Sequence, residues 1–542
     1  MEEFKSLKSK KTVKIAILFI IIFFTCIPPI YAVENENLVQ DIKVEVNYDV
    51  MKMQERKLPS LYLGSIQRNY TSYNLGEKLQ LNVKNQGNTQ ICWACSSNSA
   101  LETTVNLAQN TNYVFSDEEL SKQVSERYGI SQDNGANSYI AYGYYTSGES
   151  PVTTKQEQTD IKIENYTIFP TIYKKIEGSK ITYQKAKYSS ESYSEEEVEV
   201  IRNSIKNHIV NNGAVTALTY SDSRYFSENL QAYYCDNNAI TPNHQVTIVG
   251  WDDNYSVENF NSEHRPQNNG AYIVLNSYGT DFGNGGLFYI SYEDIFVEYS
   301  NMGINKTASY DKEENIYQHD ELGINNTLGF KADTYAANVY TRKTQKLERI
   351  TSVSFANLEN GEYEIYINQE DGTLDSNKLK KVKEITTQKA GYTTVDIEPI
   401  TLYGNQFVIA IKSKTTSTSN TNFGIEYNDG KLWKNANNER GQTYFSVDAK
   451  TWYDIKDLES EINGIDNANV CIKAFTKETS RGDINLDESF DIRDLSIALQ
   501  YFGNNLDREI SEEAYQNLDL NYDDKIDLRD LSKMILILAN LE

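Results

Sequence analysis

The stretch Asn85-Gln86-Gly87-Asn88-Thr89-Gln90-Ile91-Cys92-Trp93-Ala94-Cys95-Ser96 constrains this 542-residue chain more than any other. A thiolate that attacks a carbonyl needs a donor for the developing oxyanion. It also needs a place where its pKa is depressed, such as a helix N-terminus. Gln86 can supply a side-chain N–H, and Cys92 opens a helix-compatible run through Trp93, Ala94, Ser99, Ala100 and Leu101. Such a pair is inert without a base, and the chain has only four histidines, His208, His244, His264 and His319. His244 follows Asn243 and starts the apolar, β-branched strand Gln245-Val246-Thr247-Ile248-Val249. A second strand, Ala271 to Leu275, runs into Asn276-Ser277-Tyr278-Gly279. If the two strands are neighbours, the Asn276 amide oxygen accepts from one imidazole nitrogen and turns the other towards Cys92. The fold must therefore gather three remote segments at one point.

Other readings of the same residues exist. Cys92-Trp93-Ala94-Cys95 is a C-x-x-C, a redox or metal-binding pattern, but neither a βαβ context nor a second cysteine pair accompanies it. A Cys-His-Asp site would want a carboxylate where Asn276 stands, and a lone histidine is by default a satisfied core residue. Cys95 and Cys235 read as buried thiols or as a mutual bridge, and too few cysteines are present for a disulfide framework.

Gln86, Cys92-Trp93-Ala94, Asn243-His244 and Asn276-Ser277 occur in the order found in the papain family of cysteine peptidases, which the sequence resembles from about residue 58 to residue 300. The segment Phe115-Ser116-Asp117-Glu118-Glu119-Leu120 resembles the one after that family's nucleophile helix, and Asn134-Gly135 resembles its glycine-rich substrate-cleft loop. The resemblance implies an α+β peptidase domain. In it Cys92 is the nucleophile, His244 the base, Asn276 its orienting partner, Gln86 the oxyanion donor, and Asn134 and Gly135 bind substrate. Thr89 stands where relatives usually place a disulfide cysteine, and Asp133 stands near the expected partner. Tyr278 and Phe282 replace family tryptophans. Insertions around Thr154–Ser194 and Ser256–Asn269 lengthen the gaps between site residues.

Ahead of this domain, residues 1–32 carry Lys5, Lys8, Lys10, Lys11 and Lys14 and then an apolar run from Ile15 to Ile27. That run is too short to span a bilayer and reads as a secretory signal, with an uncleaved anchor as the alternative. Residues 33–57 read as a pro-segment, short for the helical propeptide of many relatives. The peptidase domain is expected over 58–305. Lys+Arg 52 against Asp+Glu 77 leaves a net charge of −25, which disfavours nucleic acid and anionic membranes and favours cations or basic partners. The expectation is a secreted, extracellular protein with no membrane contact after signal cleavage.

Beyond the peptidase the hydrophobic period becomes two, at Val353 and Phe355, at Tyr363, Ile365 and Ile367, at Val408 and Ala410, at Ile425 and Tyr427, and at Val470, Ile472 and Ala474. Asn360-Gly361, Asp371-Gly372 and Asp429-Gly430 separate these runs. The pattern predicts an all-β sandwich over 316–477. It resembles the lectin-like domain of some bacterial relatives, which implies a glycan partner, although a structural accessory is an equal reading.

The last segment, 480–542, is an internal repeat. Asp483, Asn485, Asp487, Ser489, Asp491 and Asp494 recur 36 residues later as Asp519, Asn521, Asp523, Lys525, Asp527 and Asp530. Side-chain oxygens at positions 1, 3, 5, 9 and 12 of a twelve-residue loop, with the backbone carbonyls of Ser489 and Lys525 at position 7, suit two Ca²⁺ ions. Glu488 and Asp524 replace the usual glycine at position 6. Each loop leads into an apolar helix, Leu495–Phe502 and Leu531–Leu538. The pair resembles a type I dockerin, a small all-α module that binds the cohesin module of a cellulosomal scaffold. Its recognition positions would fall on Ile492-Arg493 and Leu528-Arg529. The whole is expected to be a multidomain, scaffold-bound cysteine endopeptidase acting on protein or peptide. The alternative is a glycan- or protein-binding protein with a vestigial peptidase domain.

Overall fold

The computed structural model describes residues 70–541 except 186–190, 312–313, 331–332, 345, 359–360, 388, 415–420, 431, 459–464, 488, 507–508 and 524. The expected signal and pro-segment, and Glu488 and Asp524 of the repeat loops, lie outside the described residues.

The helical half of the first domain is built on α1 (Cys92–Gln109), whose first fifteen residues are all buried. A helix buried on every side normally needs apolar residues all round. This one instead uses small side chains, and several of the polar ones find partners inside. Ser96 Oγ donates to the Val246 carbonyl at 2.7 Å, and Thr103 and Thr104 donate back to Ala100. Asn110, left-handed at φ 53°, ends the helix. Helix α2 (Asp117–Tyr128) is capped by Ser116, which accepts from the Glu119 N–H, and α3 (Ser138–Thr146) is buried throughout. Helix α4 (Glu195–Asn212) begins with a reciprocal Ser194–Glu197 capping box.

The β half contains β1 (Ile161–Ile168), β2 (Val215–Thr219), β3 (His244–Asp252), β4 (Ala271–Leu275), β5 (Leu287–Ser291) and β6 (Met302–Ser309). They lie in the order β1-β6-β2-β3-β4-β5, every neighbouring pair antiparallel. The predicted neighbours β3 and β4 do pair, with Thr247 opposite Leu275. Strand β1 belongs to the insertion expected around Thr154–Ser194, and it links the two domains.

The second domain is a sandwich that includes β7 (Thr334–Thr341), β8 (Leu347–Asn357), β9 (Gly361–Asn368), β10 (Gly391–Thr401), β11 (Gln406–Ser413) and β12 (Ile472–Thr479). Its core takes Val353, Phe355, Tyr363, Ile365, Ile367, Ile409, Ile425, Val470, Ile472 and Ala474 from alternating positions. Val408 and Ala410 face the other way, into a smaller cluster with Ala337 and Leu379, so β11 is buried on both faces. That is why its run reads as continuously apolar.

Strand β10 pairs antiparallel with β1, Tyr392 opposite Tyr166, and the two rings stack at 5.6 Å and 10°. One apolar cluster includes Trp93, Leu101, Tyr139 and Tyr142 of the helical half together with Leu322, Ala356, Trp433 and Cys471 of the sandwich. The two domains thus share a sheet and a core. The C-terminal repeat forms α5 (Ile492–Phe502), α6 (Glu512–Asn517) and α7 (Leu528–Leu541). Helices α5 and α7 both start three residues earlier than expected.

Candidate active site

Cys92 is the first residue of α1 and is 7% exposed. The preceding turn is held by its own side chains. Thr89 Oγ1 donates to the Gln86 carbonyl at 2.6 Å, and Gly87 takes φ 58°, a left-handed conformation that glycine adopts without strain. A hydroxyl closes this turn at the position where the family resemblance leads one to expect a disulfide cysteine. Cys92, Cys95, Cys235 and Cys471 are all unpaired and buried, so Cys95 and Cys235 form no mutual bridge. The side chain of Asp133 is outside the described residues.

Gln86 reaches the site with its carboxamide fixed at both ends. Ser277 Oγ donates to Gln86 Oε1 at 2.6 Å, and Gln86 Nε2 donates to the Thr89 carbonyl at 2.7 Å. An amide nitrogen carries two hydrogens, so one remains for another acceptor. The backbone is tied in the same place, with the Gln86 N–H donating to the Ser277 carbonyl at 2.9 Å.

His244 is the first residue of β3 and 4% exposed. Its Nε2 lies 2.8 Å from Asn276 Oδ1, which also accepts the Ser277 N–H at 2.8 Å. Because Oδ1 can only accept, Nε2 carries the proton and Nδ1 is left with its lone pair. Tyr278 stacks on the imidazole at 4.8 Å and 19°, and Phe282 meets Tyr278 edge-on at 5.4 Å. These two residues give the imidazole an aromatic cover.

The backbone N–H groups of Cys92, Trp93 and Gln245 all bear on the Cys92 thiol and favour its ionised form, but burial outweighs them and raises its pKa. Burial also drives His244 down to about 4, against the Asn276 contact that raises it. Thiol and imidazole are each held neutral on their own, so charge develops in this site only as a pair.

Several contributors escaped sequence reasoning. Lys84, 7% exposed, pairs with Glu102 at 2.6 Å and Asp117 at 3.0 Å. Burial alone would lower its pKa, and the two carboxylates carry it well above the ordinary range. The Lys84 carbonyl accepts from Gly279 at 2.9 Å, so this residue ties the Gln86 segment to α1, α2 and the turn after Asn276. A lysine two positions before Gln86 was the only sequence signal. Asn134 is exposed, and Gly135 (φ 68°) lies just before α3. Ser138 at the start of α3 accepts from the Gln245 side chain, which joins this loop to the residue after His244.

The two C-terminal loops have matching geometry. Asp494, fully buried, accepts the N–H groups of Ile484, Asn485 and Asp491 at 2.8–3.0 Å. Asp530 accepts those of Asn521 and Asp527 at 3.2 and 2.9 Å. Asp483 and Asn485 accept from the Asp487 N–H, and Asp519 and Asn521 from the Asp523 N–H. The N–H of Ser489 donates to Asp487 and that of Lys525 to Asp523. Arg493 pairs with Asp487 and Asp491 at 2.7 and 2.6 Å, and Arg529 with Asp523 and Asp527 at 2.9 and 2.7 Å. Among the described residues no group of three or more His, Cys, Asp or Glu side chains is arranged to hold a metal ion. The donor set is nevertheless all oxygen, which suits a hard divalent cation in its chemistry.

Residues 72–312 match the papain family of cysteine proteases, and residues 316–476 match a lectin-like domain. A cysteine protease of Blomia tropicalis is 24% identical over 278 residues, which covers 49% of this chain and 72% of that protein. The crystal structure of the cysteine protease and lectin-like domains of Cwp84, a surface layer associated protein of Clostridium difficile, is 25% identical. It superposes with a TM-score of 0.64 and covers 76% of this chain and 90% of that one. Clostridial Cwp84 after propeptide cleavage gives the same TM-score at 26% identity, covering 75% of this chain and 99% of that one.

Proposed function

Starting from a papain-like cysteine peptidase that carries a lectin-like domain, we propose that this protein is a secreted endopeptidase working through Cys92, His244, Asn276 and Gln86. The observation that carries the reading is the 2.8 Å contact between His244 Nε2 and Asn276 Oδ1, which leaves Nδ1 as the basic nitrogen. In the forward step Nδ1 takes the Cys92 proton and the sulfur attacks the scissile carbonyl carbon. The carbonyl oxygen becomes an oxyanion that accepts from the free hydrogen of Gln86 Nε2 and from the Cys92 N–H, donors typically worth about 2.7–4 kcal/mol each. Nδ1 then passes its proton to the leaving amine as the C–N bond breaks. Water attacks the resulting thioester, giving a proton to Nδ1, which returns it to the sulfur as the acid product leaves. Asn134 and Gly135 border the cleft that receives the peptide.

The C-terminal repeat is read as a dockerin-type attachment module. Asp483, Asn485, Asp487, Asp491, Asp494 and the Ser489 carbonyl would hold one Ca²⁺. Asp519, Asn521, Asp523, Asp527, Asp530 and the Lys525 carbonyl would hold the other. Each ion, when bound, supplies the charge that draws its loop oxygens together. Ile492 and Leu528 are 66% and 65% exposed beside Arg493 and Arg529, which supports a partner surface there for a scaffold cohesin. Secretion and retention at the cell surface are supported by the basic and apolar N-terminus and by the surface-layer association of Cwp84. Among the described residues no helix is long and apolar enough to cross a membrane. A glycan is the proposed partner of the lectin-like domain.

A panel of fluorogenic peptides offered under mild reductant, beside a folded Cys92→Ala variant, tests the peptidase site. Cleavage by the parent alone supports it, and equal turnover by both refutes the role of Cys92. Calcium titration followed by calorimetry tests the repeat, for which two sites per chain are expected.

A further inference from the structure

The two halves of the C-terminal repeat are related by sequence but not by surroundings. At the fourth position of each loop stands a residue with left-handed backbone, Leu486 at φ 60° in the first and Tyr522 at φ 60° in the second. A side chain in that conformation costs about 1–2 kcal/mol, so both loops demand the same turn. Leu486 projects outward and is 41% exposed. Tyr522 is turned against the sandwich. The guanidinium carbon of Arg349, on β8, lies 3.6 Å from the ring centroid, and that of Arg481 lies at 5.2 Å. The phenol oxygen is 2.9 Å from Thr479 Oγ1, at the end of β12.

Two further features surround this contact. Leu347 of the sandwich sits in one apolar cluster with Ile484, Phe490, Ala514, Leu518 and Leu520 of the repeat. The connection between β12, which ends at Thr479, and the first loop, which starts at Asp483, is only Ser480-Arg481-Gly482. It is itself bonded to the module, the Gly482 N–H donating to the Asn517 carbonyl at 2.7 Å and Ser480 Oγ to Asn517 Oδ1 at 3.0 Å.

We infer that Tyr522, and not its first-repeat counterpart Leu486, is a latch that fixes the C-terminal module on the sandwich in one orientation. Arg349 and Arg481 grip the ring by cation–π contact, and the short connection leaves little freedom when the grip holds. The apolar residues most exposed on the module, Ile492 on α5 and Leu528 on α7, stay uncovered in the latched state. A partner bound there would meet a peptidase and sandwich held rigidly beside it and not swinging on a linker. The latch rests on the packing just described and does not depend on the calcium reading.

The mature full chain, its Tyr522→Leu variant, which copies the first repeat, and its Arg349→Met variant would be compared by limited proteolysis at the Ser480-Arg481-Gly482 connection and by X-ray scattering. Peptide turnover and far-UV circular dichroism report whether each variant is folded, and Leu486→Ala serves as the control in the first loop. Cleavage of the connection is expected to rise about tenfold in both latch variants, with a larger radius of gyration, and to stay unchanged in the control. The two variants lie in different domains, and their double mutant should add little to either. Cleavage and scattering equal to the parent in both latch variants, or an extended parent, would overturn the latch. Two-site calcium binding is scored separately, so its failure leaves these outcomes readable.

Discussion

Replacing Glu426 with glutamine is expected to remove much of the pH dependence of the joint between peptidase and sandwich. Glu426 is 2% exposed and accepts the Leu322 N–H at 2.6 Å and Asn469 Nδ2 at 3.2 Å. Burial, then the neighbouring charge of Asp320, pushes its pKa up to about 8, against the opposing effects of the Leu322 N–H, Asn469 and Lys473. Lys473 lies 2.8 Å from Asp320 Oδ2, so its charge is already committed to that carboxylate. The folded protein keeps a proton on Glu426 that the unfolded chain releases near its ordinary 4.5. This group's contribution is therefore fully present below 4.5 and is lost as pH rises through about 8. At 1.36 kcal/mol per unit the span amounts to roughly 5 kcal/mol. Glutamine keeps an acceptor for the Leu322 N–H without the titrating proton.

Unfolding would be followed by the fluorescence of Trp433, which is buried at the joint and donates to the Leu322 carbonyl at 3.3 Å. Between about pH 5 and about pH 8 the parent should lose roughly 4 kcal/mol more than Glu426→Gln, since other titrating groups cancel in the comparison. Parallel pH slopes for the two proteins would refute the assignment of the proton to Glu426.

Four further outcomes follow from the site and the joint. Gln86→Ala should lower kcat by about 10²–10³ with little change in KM, because the lost hydrogen bond forms only in the transition state; an equal rise in KM would point instead to ground-state binding. The acid limb of kcat/KM should fall near pH 4, as His244 is protonated while the Cys92 thiol is intact and the base is lost. Asn276→Ala should move that limb further down and reduce kcat/KM by about 10²-fold, and a limb that stays put would separate His244 from it. Gly143→Ala should destabilise the joint by about 1–3 kcal/mol, since its Cβ would stand 2.3 Å from the Leu322 carbonyl oxygen and 3.0 Å from Gly323 Cα; an unchanged melting temperature would refute that close approach.

The sequence alone determined the classes of the peptidase and lectin-like domains and pointed to the candidate site. A cysteine at a helix start, a glutamine six residues ahead, a histidine opening one strand and an asparagine closing another are local patterns, and local patterns survive in one dimension. So do the serine caps of α2 and α4, the period-two runs of the sandwich and the duplicated acidic ladder. What touches what across the chain was decided only by the tertiary structure. Strand β1 reads as an insertion of no stated use, yet it carries the sheet from one domain into the next. Gly143 in the middle of α3 looks like a weak point in a helix, yet Leu322 of the sandwich needs the space. Leu486 and Tyr522 occupy equivalent positions in the repeat, yet only one of them meets an arginine from another domain. Lys84 reads only as a lysine near Gln86, because its partners Glu102 and Asp117 come from two different helices. Propensity and periodicity are properties of neighbours in sequence. Steric fit, desolvation and ion pairing depend on neighbours in space, and those exist only once the chain has folded.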